Sequence, residues 1–172
     1  PEVGPLAVEL AGAGADSWAV VLGSSRADWV NDVVALPGGD FAAVGFLGRT
    51  DTGDADWDGV VHRFDGEGAP VWTRRLGGPG LDALWSGLAR DGGRLAAVGF
   101  SASGGAGSTD LWFVLLDASD GSVLVERWYG GVAADRGIDV LPAADGGFLF
   151  VGQTESSGAG GRDVYVVRTD DE

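Results

Sequence analysis

The chain contains no cysteine, no methionine and no lysine, and His62 is its single histidine. Without cysteine it has no disulfide, no thiolate metal ligand and no cysteine nucleophile. A Ser-His-Asp arrangement would have to be built on His62, which falls in the middle of an apolar stretch. No run of eighteen apolar residues occurs, so no membrane-spanning helix is expected. No basic leader precedes an apolar segment as in a signal peptide. Basic charge is scarce: 11 arginines stand against 26 acidic residues, for a net charge of −15. Nucleic-acid binders carry a basic footprint, so that class is excluded as an expectation. Helix-periodic stretches with caps are lacking throughout. The stretch Gly104-Gly105-Ala106-Gly107 has no Lys-Ser/Thr after it and opens no helix, so it is not a phosphate loop.

What the chain does have is glycine, 32 of its 172 residues, and a motif that recurs three times. Gly23, Gly77 and Gly130 lie 54 and 53 residues apart. Each is followed five residues later by an aspartate: Asp28, Asp82 and Asp135. A glycine pair comes next (Gly38-Gly39, Gly92-Gly93, Gly146-Gly147), then a short apolar run ending in Gly45, Gly99 or Gly152. Two aspartates seven apart close each unit: Asp58 and Asp65, Asp110 and Asp117, Asp163 and Asp170. A period of this size indicates a solenoid, a propeller or an array.

Superposing the units predicts four strands in each. The first covers 29–36, 83–90 and 136–141. The glycine pair supplies the positive φ of a tight hairpin turn. The second strand (Phe41–Val44, Leu95–Val98, Phe148–Val151) is apolar at every position and so is expected to be buried on both faces. The third covers 59–64, 111–116 and 164–169, and the fourth 70–76 and 122–129. Four short antiparallel strands per repeat of this length indicate an all-β fold, a β-propeller of three four-stranded blade units. A β-sandwich is the alternative, but it has no need of a fifty-residue period. The units run over about 23–76, 77–129 and 130–170 of a single domain, 1–172. Residues 5–22 read as the last two strands of a further unit, with Trp18 placed as Trp72 is, and they could close the C-terminal blade. Propellers commonly have about 4–8 blades. The expectation is therefore a homodimer completing six blades, or a portion of a longer propeller.

Trp72-x4-Gly77-Gly78, Asp82, Asp91-Gly92-Gly93, Gly99-x-Ser101, Gly107-x-x-Asp110 and Leu116-Asp117-x3-Gly121 together resemble the repeat of bacterial and archaeal secreted β-propeller proteins. The likeness runs from about residue 5 to residue 170. It implies the propeller fold and an extracytoplasmic setting, secreted or at the cell surface, and it carries over no catalytic residues. Two departures stand out: Val125 replaces the tryptophan of Trp18 and Trp72, and the first unit has two extra residues between Gly45 and Asp58.

With the first strand innermost, the links after strands two and four share one face, which carries the long Gly/Ser/Asp-rich loops. Binding commonly resides in such loops. The candidate ligand-binding residues are Trp29, Trp57 and Trp85, whose rings could meet a sugar, and the aligned inner-strand positions Asp32, Ser86 and Asp139. The bland reading of these six is a buried or solvated structural role. Asp54-x-Asp56-x-Asp58-Gly59 resembles the first half of an EF-hand-type calcium loop, with Asp65 at the twelfth position. Asp58 and Asp65 already belong to the repeat, where they would fix turns by accepting backbone N–H bonds, so an acidic solvated loop competes with a metal site there. The expected function is a non-catalytic binding or scaffold module of an exported bacterial protein, presenting its long-loop face to a glycan or protein. The first alternative is a purely structural or oligomerising repeat, and the second a calcium-dependent adhesin element. A glycan-active enzyme is the last. No catalytic residue and no cofactor other than calcium is singled out.

Overall fold

The computed structural model describes residues 18–48 and 56–170. Among them the chain is all-β: eleven strands form three antiparallel sheets, and one 3-10 turn spans Pro37–Gly39. The first sheet contains β1 (Asp28–Ala35), β2 (Phe41–Gly48), β3 (Trp57–Phe64) and β4 (Pro70–Leu76), in sequence order. The second contains β5 (Asp82–Arg90), β6 (Arg94–Ser101), β7 (Asp110–Asp117) and β8 (Val123–Tyr129), in the same order. The third contains β9 (Asp135–Pro142), β10 (Phe148–Thr154) and β11 (Asp163–Thr169). Each expected strand in the described residues from 28 onward is present. Residues 18–22, expected as a strand, join none of the three sheets. They lie against the outer face of the first sheet, not beside β11: the Trp18 ring stacks on Phe41 at 5.3 Å. The expected strand at residues 6–10 falls outside the described residues.

The sheets are layered in series, first on second and second on third. Alternation along each strand decides which residues meet. Val34, Ala42, Val44 and Val61 leave the first sheet on one side and pack with Leu84, Leu95, Ala97, Trp112 and Val114 of the second. From its other face the second sheet sends Ala96, Val98, Leu111 and Phe113 into Val140, Phe148 and Phe150 of the third. The two junctions are built from repeat-equivalent positions. The middle strand β6 is therefore covered by a sheet on both sides, as its unbroken apolar sequence requires. Burying side chains of this size contributes about 1.5–3 kcal/mol each.

The second strands run further than their apolar cores suggest, by four residues in β2 and three in β6 and β10. Gly45, Gly99 and Gly152 do not end them. Each glycine faces a β-bulge in the inner strand, where Asn31, Trp85 and Ile138 are skipped in the pairing register. The extra residue pushes the inner strand's backbone towards its neighbour. A Cβ built on Gly99 would overlap the Ala83 carbonyl oxygen and lie 2.8 Å from the Leu84 Cα. Only hydrogen fits there, which is why the glycine recurs at this position in every unit.

Candidate functional site

The inner strands β1, β5 and β9 carry Asp32, Ser86 and Asp139 one residue beyond their bulges. Layering brings all three together. The Ser86 hydroxyl lies 2.7 Å from Asp139 Oδ1 and 3.3 Å from Asp32 Oδ2, and Asp32 Oδ2 also accepts the Gly87 N–H at 2.8 Å. Each carboxylate further accepts the N–H of the next residue, Val33 or Val140, at 2.8 Å. The bulges turn their own side chains out beside this cluster: Trp85 is 42% exposed and Ile138 53%, while Asn31 is held by its Nδ2–H bond to the Leu84 carbonyl at 2.8 Å. The bulges were not anticipated from sequence. The signal that could have found them was the invariant glycine opposite, within the three units of this one chain.

The links after the second and fourth strands do share a rim. Ala102 N–H donates to the Leu81 carbonyl at 2.9 Å, Asp135 N–H to the Thr109 carbonyl at 2.8 Å and Glu155 N–H to the Ala134 carbonyl at 2.9 Å. The early aspartate of each unit organises that rim. Asp82 accepts the Gly78 N–H at 2.7 Å and the Ser103 hydroxyl at 2.6 Å. Asp135 accepts the Gly131 N–H at 2.8 Å and the Ser156 hydroxyl at 2.6 Å. Burial pushes the Asp135 pKa up, but the bonds from Ser156, Thr154 and the Gly131 N–H outweigh it and hold the carboxyl below its ordinary value. Asp28 repeats the pattern with the Ser24 N–H and hydroxyl. These aspartates are engaged in turn geometry.

The three candidate tryptophans fare differently. Trp29 is 53% exposed at the rim end of β1, with its ring stacked on Phe46 at 5.5 Å. Trp57 stacks on the other side of the same column, 4.6 Å from Phe46, and is half-buried. Trp85 stands beside the Asp32–Ser86–Asp139 cluster. The rim therefore offers Trp29 as an open ring face with Trp57 as support beneath, while Trp85 is exposed part-way along β5 at its bulge.

The expected metal set does not assemble as one site. Asp58 and Asp65 lie at the two ends of β3, with Asp65 just past Phe64. At the extended rise of about 3.3 Å per residue they are roughly 23 Å apart, so no single ion takes both. A strand occupies the place where an EF-hand loop would curl. Asp58 pairs with Arg75 at 2.7 Å, and Asp65 accepts the Glu67 and Ala69 N–H groups at 3.1 and 2.8 Å. Asp56 is buried. Asp54 falls outside the described residues. Among the described residues no three His, Cys, Asp or Glu side chains gather as a metal site.

His62 is buried on the first sheet's outer face, with Nδ1 2.8 Å from the Thr73 hydroxyl. Burial pushes its pKa down to about 4, against a weaker upward pull from Asp28. It is a neutral core residue at physiological pH. None of the described helices is long and apolar enough to cross a membrane. Comparison with known proteins finds no family model that matches the chain and no curated protein that matches it.

Proposed function

We propose that the three sheets are consecutive blades of a β-propeller and that the chain is a non-catalytic binding module whose loop rim receives a glycan. The blade reading is supported by serial layering, by repeat-equivalent junctions and by inner strands that converge on Ser86. The observation that carries the binding reading is the pairing of chemistries along the inner strands. Trp29 and Trp85 are exposed rings on β1 and β5, the strands that carry Asp32 and Ser86. A pyranose ring places C–H groups against an aromatic face and donates its hydroxyls to carboxylate acceptors. The setting that fits this module, on the resemblance of its repeat, is outside the cytoplasm of a bacterium. A protein ligand on the same rim is the neighbouring reading.

The test is tryptophan fluorescence titration against a panel of soluble oligosaccharides, repeated with Trp29→Ala and Trp85→Ala. Binding that shifts the emission and falls at least tenfold in either variant supports the reading. Equal titration curves in parent and variants overturn the assignment of these rings. The structural alternative is favoured by a different feature, the outer faces of the first and third sheets, on which no other sheet lies among the described residues.

A further inference from the structure

The two internal junctions supply a template for those outer faces. In each, the leading face of one sheet meets the trailing face of the next. Among the described residues, the first sheet keeps a trailing face with no sheet on it, and the third keeps a leading face with none. The contrast with equivalent positions is large. Leu111 and Phe113, on the second sheet's leading face, are 0% and 2% exposed; Val164 and Val166, at the same repeat positions in the third, are 84% and 55% exposed. On the first sheet the trailing face holds a hollow of about 360 Å³ lined by Trp18, Val33, Phe41, Val60, His62 and Phe64. The equivalent positions in the second sheet include Leu95, Trp112, Val114 and Leu116, all fully buried against the first.

The edge strands repeat the same logic. Trp72 of β4 reaches over to the second sheet, where it donates to the Ala118 carbonyl at 3.0 Å and packs against Gly121. Trp18 packs against Gly68, the equivalent glycine of the first sheet. Residues 18–22 thus already occupy the outer-strand position of a sheet that would precede the first. The third sheet has three strands among the described residues, and its β11 edge is unpaired there. Arg63 adds a further equivalence: its guanidinium bonds the Ala118 and Ser119 carbonyls of the next sheet's turn at 2.8 and 3.3 Å. Arg168 stands at that position on the third sheet, beside Asp145.

We propose that a second copy of this chain docks head to tail, its first sheet covering the third sheet's outer face and its residues 18–22 pairing with β11. Both halves of the junction are present on one chain, so the surface is complementary to itself in a heterologous sense. An exposed apolar face beside an open strand edge is the combination that drives such association. By analogy with β3 and β4, in which Val61 faces Arg74 and His62 faces Thr73, Val166 would face Val20 and Val167 would face Ala19. Two copies bring six sheets together, within the usual span of about 4–8 for a closed ring. The choice of faces rests on the blade reading above.

The test is solution mass by light scattering for the full chain, with Val33→Glu and Val164→Glu as face variants. The expected parent mass is twice 17.5 kDa. Each variant alone should be monomeric, with an unchanged circular dichroism spectrum, because both side chains are exposed. An equimolar mixture of the two should recover a dimer, since each supplies the face that the other has lost. A monomeric parent, a dimeric single variant or a mixture that stays monomeric overturns the proposal. The seam is located by the double variant Ala19→Cys/Val167→Cys in this cysteine-free chain. An interchain disulfide on non-reducing gels is expected, and a band at monomer mass refutes the strand pairing. A monomer that keeps its thermal transition and still binds oligosaccharide overturns only the pairing. A dimer that binds none overturns only the glycan reading.

Discussion

Substituting Gly99 by alanine tests the bulge more directly than any other change. A methyl group there would meet the Ala83 carbonyl carbon at 2.9 Å and the Leu84 Cα at 2.8 Å, besides overlapping the carbonyl oxygen. Comfortable carbon–carbon contact is about 3.5–4.0 Å. The β5 and β6 backbones would therefore have to part by roughly 0.7 Å or more. They have little freedom to do so. Ala83, Leu84, Ala97 and Val98 are fully buried between the first and third sheets. Overpacking of this kind costs about 3 kcal/mol, the upper part of its usual range. For a chain of this size that is a loss of about 6–12 °C in Tm. Gly152→Ala meets the same obstruction, with the Arg136 carbonyl carbon at 2.9 Å, but in a sheet whose outer face is open. It should cost about half as much, because the strands can splay. Gly92→Ala is the control: nothing lies within 4 Å of its Cβ position, and only its φ of +76° opposes the change. That conformational penalty is about 1 kcal/mol. Thermal melts followed by circular dichroism should therefore rank Gly99→Ala, Gly152→Ala and Gly92→Ala in falling order of damage. A Gly99→Ala protein melting within a degree or two of the parent, or above Gly92→Ala, would refute the account of the bulge.

Further predictions concern charge. His62 has a folded pKa of about 4, below its unfolded value near 6.5, so the folded state favours the neutral ring. Its contribution is complete above the unfolded pKa and is lost as pH falls towards the folded one, by about 3 kcal/mol at the limit. Urea unfolding measured between these pH values should show the loss, and His62→Val, which installs the residue type found at Val114 and Val167, should flatten it. Ser86→Asp would place a third carboxylate between Asp32 and Asp139. Stability should drop by about 1–3 kcal/mol at neutral pH and recover on acidification, the opposite sign to His62; equal stability at both pH values would dissolve the cluster argument. Asp135→Ala removes the acceptor of the Gly131 N–H and the Ser156 hydroxyl, and a loss of about 2–3 kcal/mol in denaturant melts is expected. Calcium should leave the Tm unchanged, because Asp58 and Asp65 are separated by the length of β3 and held by other partners; a rise of several degrees on calcium addition would contradict that assignment.

By itself the sequence determined the period, the strand count of each unit and the alternation of faces. These are local: a turn glycine, a run such as Leu95–Val98 and an aspartate that caps a loop act within a few residues, and repetition makes the signal unambiguous. The aligned positions Asp32, Ser86 and Asp139 were legible for the same reason, since equal places in equal units fall at equal heights. Three features depended on the tertiary structure. The bulges at Asn31, Trp85 and Ile138 arise between neighbouring strands, and Gly99 shows its purpose only when the Ala83 carbonyl is set against it. The separation of Asp58 from Asp65 follows from an extended strand between them, which a spacing of seven could not distinguish from a loop. The exposure of Val164 against the burial of Leu111 was invisible because the two positions carry the same kind of residue. Sequence records what a face is made of, and only packing decides whether another face lies against it.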